Sequence, residues 1–205
     1  MTMSERLTLA SEAKDNEMRA ALAAGWRRSD LLWERAQEQA NACYLAGVAS
    51  AAVRLWRRAG WVAWLHIPAA DPRPATTLAN LALADRLSGH EARARRRYGR
   101  ARRHWRGTEH FIAGLSIARR GRSSLFHLRM EALHWDTYAD NLRTRLRAFA
   151  DEAAQALAAL EENQQPECRL FERWRGEKPP VFDDTRKLLS AVLLIGGGAQ
   201  AARSR

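Results

Sequence analysis

Glu131-Ala-Leu-His134 sets a carboxylate and an imidazole one helical turn apart, and His127 stands one turn before them. Carboxylate-bridged di-iron bundles use this E-x-x-H spacing, but they need a second copy and two further glutamates from other helices. The other glutamate beside a histidine, Glu109-His110, has the wrong spacing. His66, His90, His104 and His110 share no zinc-ligand spacing with Cys43 or Cys168. Gly196-Gly-Gly198 follows an apolar helix and does not open one, so it is no phosphate loop. Nucleophile-elbow and Ser–His–Asp arrangements are missing too. The expectation is a protein without catalytic residues, metal or cofactor, with His127, Glu131 and His134 as the trailing metal alternative.

Arginine is the stronger signal. The formal net charge is +11, and twelve arginines against Glu91 and Glu109 between positions 86 and 122 supply +10 of it. If Ala94, Tyr98, Ala101 and Trp105 form the inward stripe of a helix over 91–106, then Arg93, Arg96, Arg97, Arg100 and Arg103 line another face. One acid cannot neutralise the eight arginines of that helix. The face is therefore solvated, paired with acids elsewhere such as Asp151, Glu152, Glu161 and Glu162, or held for an acidic protein surface or a nucleic-acid backbone.

The elements that must carry these residues are helices. Apolar residues make up 46% and charged ones 28% of 205, a balance that excludes wholesale disorder. Helices are expected over Glu5–Ala24, over Asp30–Ala46 with Ser29 as N-cap, and over 49–64 after Gly47. Three prolines between Ile67 and Pro74 mark a linker. Thr76 or Thr77 then caps a helix to Leu87, and Gly89 separates it from the arginine helix. Thr108 caps a further helix to Ala118.

Counting five, nine and twelve residues from Gly47 and from Gly89 gives Ala52, Trp56, Ala59 and Ala94, Tyr98, Ala101. This small–aromatic–small register after a turn glycine resembles the second helix of a tetratricopeptide repeat, and Leu78-Ala-Asn80-Leu81-Ala82 resembles the core of its first helix. Ala40 alone matches clearly in the earlier first helix, and the units lie 42 residues apart because the proline-rich linker intervenes. The resemblance covers about Asp30–Arg106 and implies two degenerate hairpins with a partner groove on their first helices. Asn41, Tyr44, Asn80, Leu83 and Arg86 fall on that groove by register, with Glu34, Gln37, Leu45, Thr76 and Ala79 beside them. Asn41 and Asn80 stand where carboxylate-binding members place asparagine, but Gln37 occupies the position of their basic residue.

No third register follows. No glycine or proline interrupts 122–165, and eleven apolar positions from Leu125 to Leu160 step by three and four, including Ala139, Leu142, Leu146, Phe149 and Ala153. They predict one helix of about 38 residues, roughly 55 Å long, or two shorter ones broken near Trp135–Thr137. Its seam packs along the hairpins or pairs with a second copy. The tail holds Phe171, Trp174 and Phe182 before a short apolar helix, Lys187–Ile195, capped by Asp183 or Asp184, which folds back on the body or docks into a partner.

The chain thus divides into an N-terminal helix (1–28), two hairpins (29–107), a helix with the long heptad-patterned helix (108–163) and the tail (164–205). The fold class expected is all-α, tetratricopeptide-like hairpins packed with a long C-terminal helix. The charged N-terminus excludes a signal peptide, and no apolar run reaches the roughly 20 residues of a spanning helix. Two cysteines 125 positions apart read as reduced thiols, hence a cytoplasmic location. The expected function is a protein-binding adaptor or assembly factor with an acidic partner. The alternative is a nucleic-acid-binding protein using Arg93–Arg122.

Overall fold

The structure is a computed structural model that describes residues 14–116, 125–164 and 181–196, of which 125–136 are described by their backbone alone. The described elements are α1 (14–23), α2 (Arg28–Leu45), α3 (Ala49–His66), α4 (Arg73–Leu87), α5 (Glu91–Arg106), α6 (Glu109–Ala113), α7 (Leu125–Glu161) and α8 (Asp184–Leu193). There is no strand among the described residues. The protein is all-α, with helical hairpins packed against one long helix.

Two hairpins, α2–α3 and α4–α5, pack side by side through α3 and α4. The turns that close them are alike. Val48 N–H donates to Cys43 O and His90 N–H to Asp85 O, each reaching back over a glycine at φ +79° or +76°. That backbone conformation excludes most residues with a Cβ, which is why glycine stands at both turns. Gly25, at φ +84°, ends α1 in the same way, with Trp26 N–H donating to Ala21 O, a third instance of the motif.

The register counted from Gly47 and Gly89 is the register of the core. Ala52, Trp56, Ala59, Ala94, Tyr98 and Ala101 are all buried. Alanines on α3 and α5 let their first-helix partners approach closely, and the rings fill the space between. Tyr98 leaves its hydroxyl without a hydrogen-bond partner among the described residues, and burial pushes the phenol's pKa upward.

Helix starts depart from the sequence expectations. Arg27, not Ser29, is the N-cap of α2, and Asp30 accepts its N–H at 2.7 Å. Helix α4 begins at Arg73, with Pro74 in the first turn where a missing N–H is harmless. Thr76 and Thr77 are consequently buried inside the helix and cap nothing. Asp71 accepts from both the backbone and the guanidinium of Arg73, whose other arm reaches Asp30 at 2.6 Å. Burial disfavours this charged guanidinium, but its bonds and charges with Asp71 and Asp30 prevail, and its pKa is raised. The pair fastens the linker to α2. Helix α6 ends at Ala113 rather than Ala118, and Leu115 turns back into the core.

Helix α7 is unbroken over its 37 residues. It runs along α5 in the opposite sense, with Glu161 paired to Arg102 and Arg147 to Glu109. The seam residues Ala139, Leu146, Ala153, Ala156 and Leu160 are buried, and Leu142 and Phe149 pack against the same core. From 139 onward the seam is thus covered by the chain itself. Its earlier half, Leu125–Trp135, lies outside the described side chains, as do His127, Glu131 and His134. Arg119, Arg120, Arg122, Cys168, Phe171 and Trp174 lie outside the described residues altogether.

Candidate functional site

The first helices α2 and α4 present Glu34, Gln37, Asn41, Thr76 and Asn80 to one shared face, as their register implies. That face holds α8. Asn41 and Asn80 each donate from Nδ2 to Leu194 O, at 3.0 and 2.8 Å. Asn80 Oδ1 accepts Gly196 N–H at 2.7 Å, and Thr76 donates to Ala191 O at 2.6 Å. Side chains therefore read the main chain where α8 runs out of intrahelical partners. A Cβ on Gly196 would stand 3.1 Å from the Trp56 ring and 3.3 Å from both asparagine oxygens. Close approach is what this glycine allows.

The face also holds charge. Arg186 donates to both oxygens of Glu34, from Nη2 at 2.7 Å and Nε at 3.2 Å, and Ser190 donates to the same carboxylate. The guanidinium lies 4.1 Å from the centre of the Phe182 ring and 5.3 Å from that of Trp26. Asp183 caps α8 by accepting Arg186 N–H. Behind the polar layer, Gln37 bridges Asn80 and Thr77, and Trp33 donates its indole N–H to Thr77. Trp56 donates to Asn41 Oδ1, which orients that amide toward Leu194.

The remaining groove residues are engaged by packing. Leu83 is buried beside Ala40, Ala52 and Trp56. Tyr44 tilts against Trp56 with ring centroids 5.6 Å apart, and burial raises its pKa. Arg86 pairs with Glu91 through Nε and Nη2, donates from Nη1 to Leu160 O and covers the Tyr98 ring. The Glu91 hydrogen bond raises its pKa, and the reciprocal bond lowers that of Glu91.

The arginine row divides into two groups. Arg93 and Arg97 pair with Asp85, at 3.2 and 2.7 Å, and Arg97 also donates to Leu81 O. Arg96, Arg100 and Arg103 are exposed and have no acidic partner among the described residues. Of the acids expected to neutralise the row, Glu161 alone pairs on α5, with Arg102 beside it. Asp85, the acid that does reach the row, was not among those expected.

Most of the described tryptophans occupy core positions. Trp26, Trp33, Trp56 and Trp105 are there, but Trp61 and Trp64 are 64% and 75% exposed. The signal was present, since the inward stripe Ala52, Trp56, Ala59, Ala63 leaves both indoles off it. They border an open cleft of about 890 Å³ between α3 and α5, floored by α4.

Among the described residues no group of three His, Cys, Asp or Glu side chains is placed to hold a metal, and no helix is long and apolar enough to cross a membrane. Compared with family models, with the curated proteins and with the solved structures, the chain finds no match.

Proposed function

We propose that this chain is a non-catalytic protein-binding adaptor, of the assembly-factor kind, whose hairpins are tetratricopeptide-like and whose partner is acidic. The observation that carries the reading is the exposed group Arg96, Arg100 and Arg103, which no acid among the described residues neutralises. Desolvating guanidinium groups is favourable only against fixed carboxylates or phosphates in matching geometry. A second support is the first-helix face, where Asn41, Asn80 and Thr76 bind peptide carbonyls of α8. The half-buried free thiol of Cys43 agrees with a reducing compartment such as the cytoplasm.

Affinity capture with the wild-type chain and with Arg96→Glu/Arg103→Glu tests the reading. These two arginines are chosen because Arg97 is held by Asp85 and Arg100 lines the cleft. The expected result is one acidic protein retained by the wild type and lost by the variant. Co-purifying nucleic acid released steeply by salt would instead favour phosphate binding by the basic region.

A further inference from the structure

The first-helix face is filled by α8, but the second-helix side is open among the described residues. There α3 and α5 stand apart over α4, and the cleft between them encloses about 890 Å³, within the range of ligand pockets. Its two walls differ in chemistry. On the α3 side Trp61 and Trp64 pack edge to face, 5.7 Å apart, above Leu78 and Leu81 of the floor. Neither indole belongs to the core stripe of α3, so each leaves a large apolar surface in water with no structural return. On the α5 side stand Arg93, Arg97 and Arg100, with Arg57 across from them. Asp85 is the sole carboxylate among the described lining residues, and Arg93 and Arg97 already hold it. Arg57 and Arg100 have no acidic partner among the described residues.

We infer that this cleft takes a segment of another protein in which a bulky apolar side chain is flanked by carboxylates. The apolar side chain enters between the indoles and Leu78–Leu81, and the carboxylates meet Arg57 and Arg100. The inference rests on the protein-binding reading above and names the site and ligand class within it. The geometry favours a peptide over other anionic partners. The indole planes stand at 75° to one another, so they form no parallel platform for successive bases. A walled cleft also admits a side chain better than the flat surface of a bilayer, which protruding apolar residues would suit.

Fluorescence anisotropy tests it with a labelled glutamate-rich peptide carrying a central leucine–phenylalanine pair, and with the same peptide carrying two alanines there. The wild-type chain is expected to bind the first roughly tenfold more tightly at fixed salt, the scale of burying one large apolar side chain. Trp61→Ala/Trp64→Ala should bind both peptides equally, at the affinity of the alanine form. Because both indoles are exposed, that variant should keep the wild-type Tm, and Arg57→Glu gives an independent variant that weakens both peptides. Equal wild-type affinities, a preference that survives removal of the indoles, or tighter binding of oligothymidylate or anionic vesicles than of the anchored peptide would each overturn the inference. Partner capture that still depends on Arg96 and Arg103 while peptide discrimination fails would sink the cleft alone and leave the adaptor reading standing.

Discussion

Arg186 grips Glu34 across 152 positions of sequence, with both side chains buried and Nη2 only 2.7 Å from a carboxylate oxygen. A buried pair is weak evidence of net stability, but breaking it leaves an uncompensated charge in the interior. Arg186→Met should therefore destabilise the fold by about 3–5 kcal/mol in chemical denaturation. The amides of 184–193 should lose protection from hydrogen exchange ahead of the rest. A variant that keeps wild-type protection there would show that the pair does not seat α8.

Asn80 answers to three groups at once. It donates to Gln37 and Leu194 O and accepts from Gly196 N–H. Asn80→Ala strands all three in a buried layer, for a loss of about 2–3 kcal/mol. Asn80→Asp should be at least as damaging, because a carboxylate cannot donate to Leu194 O. Equal stability of the two variants with the wild type, by Tm, would contradict the clamp.

Tyr98 predicts the opposite sign. Its ring fills the core beneath Arg86, but its buried hydroxyl has no partner among the described residues. Tyr98→Phe should be neutral or stabilising by up to about 1 kcal/mol, since it removes an uncompensated polar group and keeps the ring. A clear loss in denaturation would mean that the hydroxyl is satisfied.

The Arg86–Glu91 pair gives a pH dependence. Hydrogen bonding from Arg86 holds the Glu91 pKa below its ordinary 4.5. With a depressed folded value, its contribution is complete above 4.5 and is lost as pH falls through the folded value. The Tm difference between the wild type and Glu91→Gln should thus be constant near neutrality and vanish in acid. It should be small throughout, because Glu91 is substantially solvated.

The tryptophans of α3 separate core from surface. Trp56→Ala should cost about 3–5 kcal/mol by emptying a core site, and it also removes the donor to Asn41. Trp64→Ala should change stability by no more than about 0.5 kcal/mol. Comparable losses at the two positions, measured by denaturation, would argue that Trp64 is covered.

Local physics made the hairpins legible before any coordinates. A glycine able to take positive φ, followed by small and aromatic residues at helical spacing, specifies a turn and an inward stripe within about twenty residues of chain. The same periodicity set Asn41 and Asn80 on one face and allowed α7 to be one long helix or two shorter ones, of which the structure has the single helix. Cap positions were harder, since Ser29 and Thr76 are good caps that neighbouring acids displaced, Asp30 accepting from Arg27 N–H and Asp71 from Arg73 N–H.

Pairings between distant segments were decided only by the tertiary structure. Nothing near Glu34 announces Arg186, and nothing near Asn80 announces Leu194 or Gly196, because such bonds form only once the chain has returned over more than a hundred residues. The arginine helix was legible as an excess of charge. Which arginines keep that charge was settled by Asp85 and Glu161, brought to α5 by packing of α4 and α7. Periodicity tells which side of a helix faces inward, and only the assembled neighbours determine what waits there.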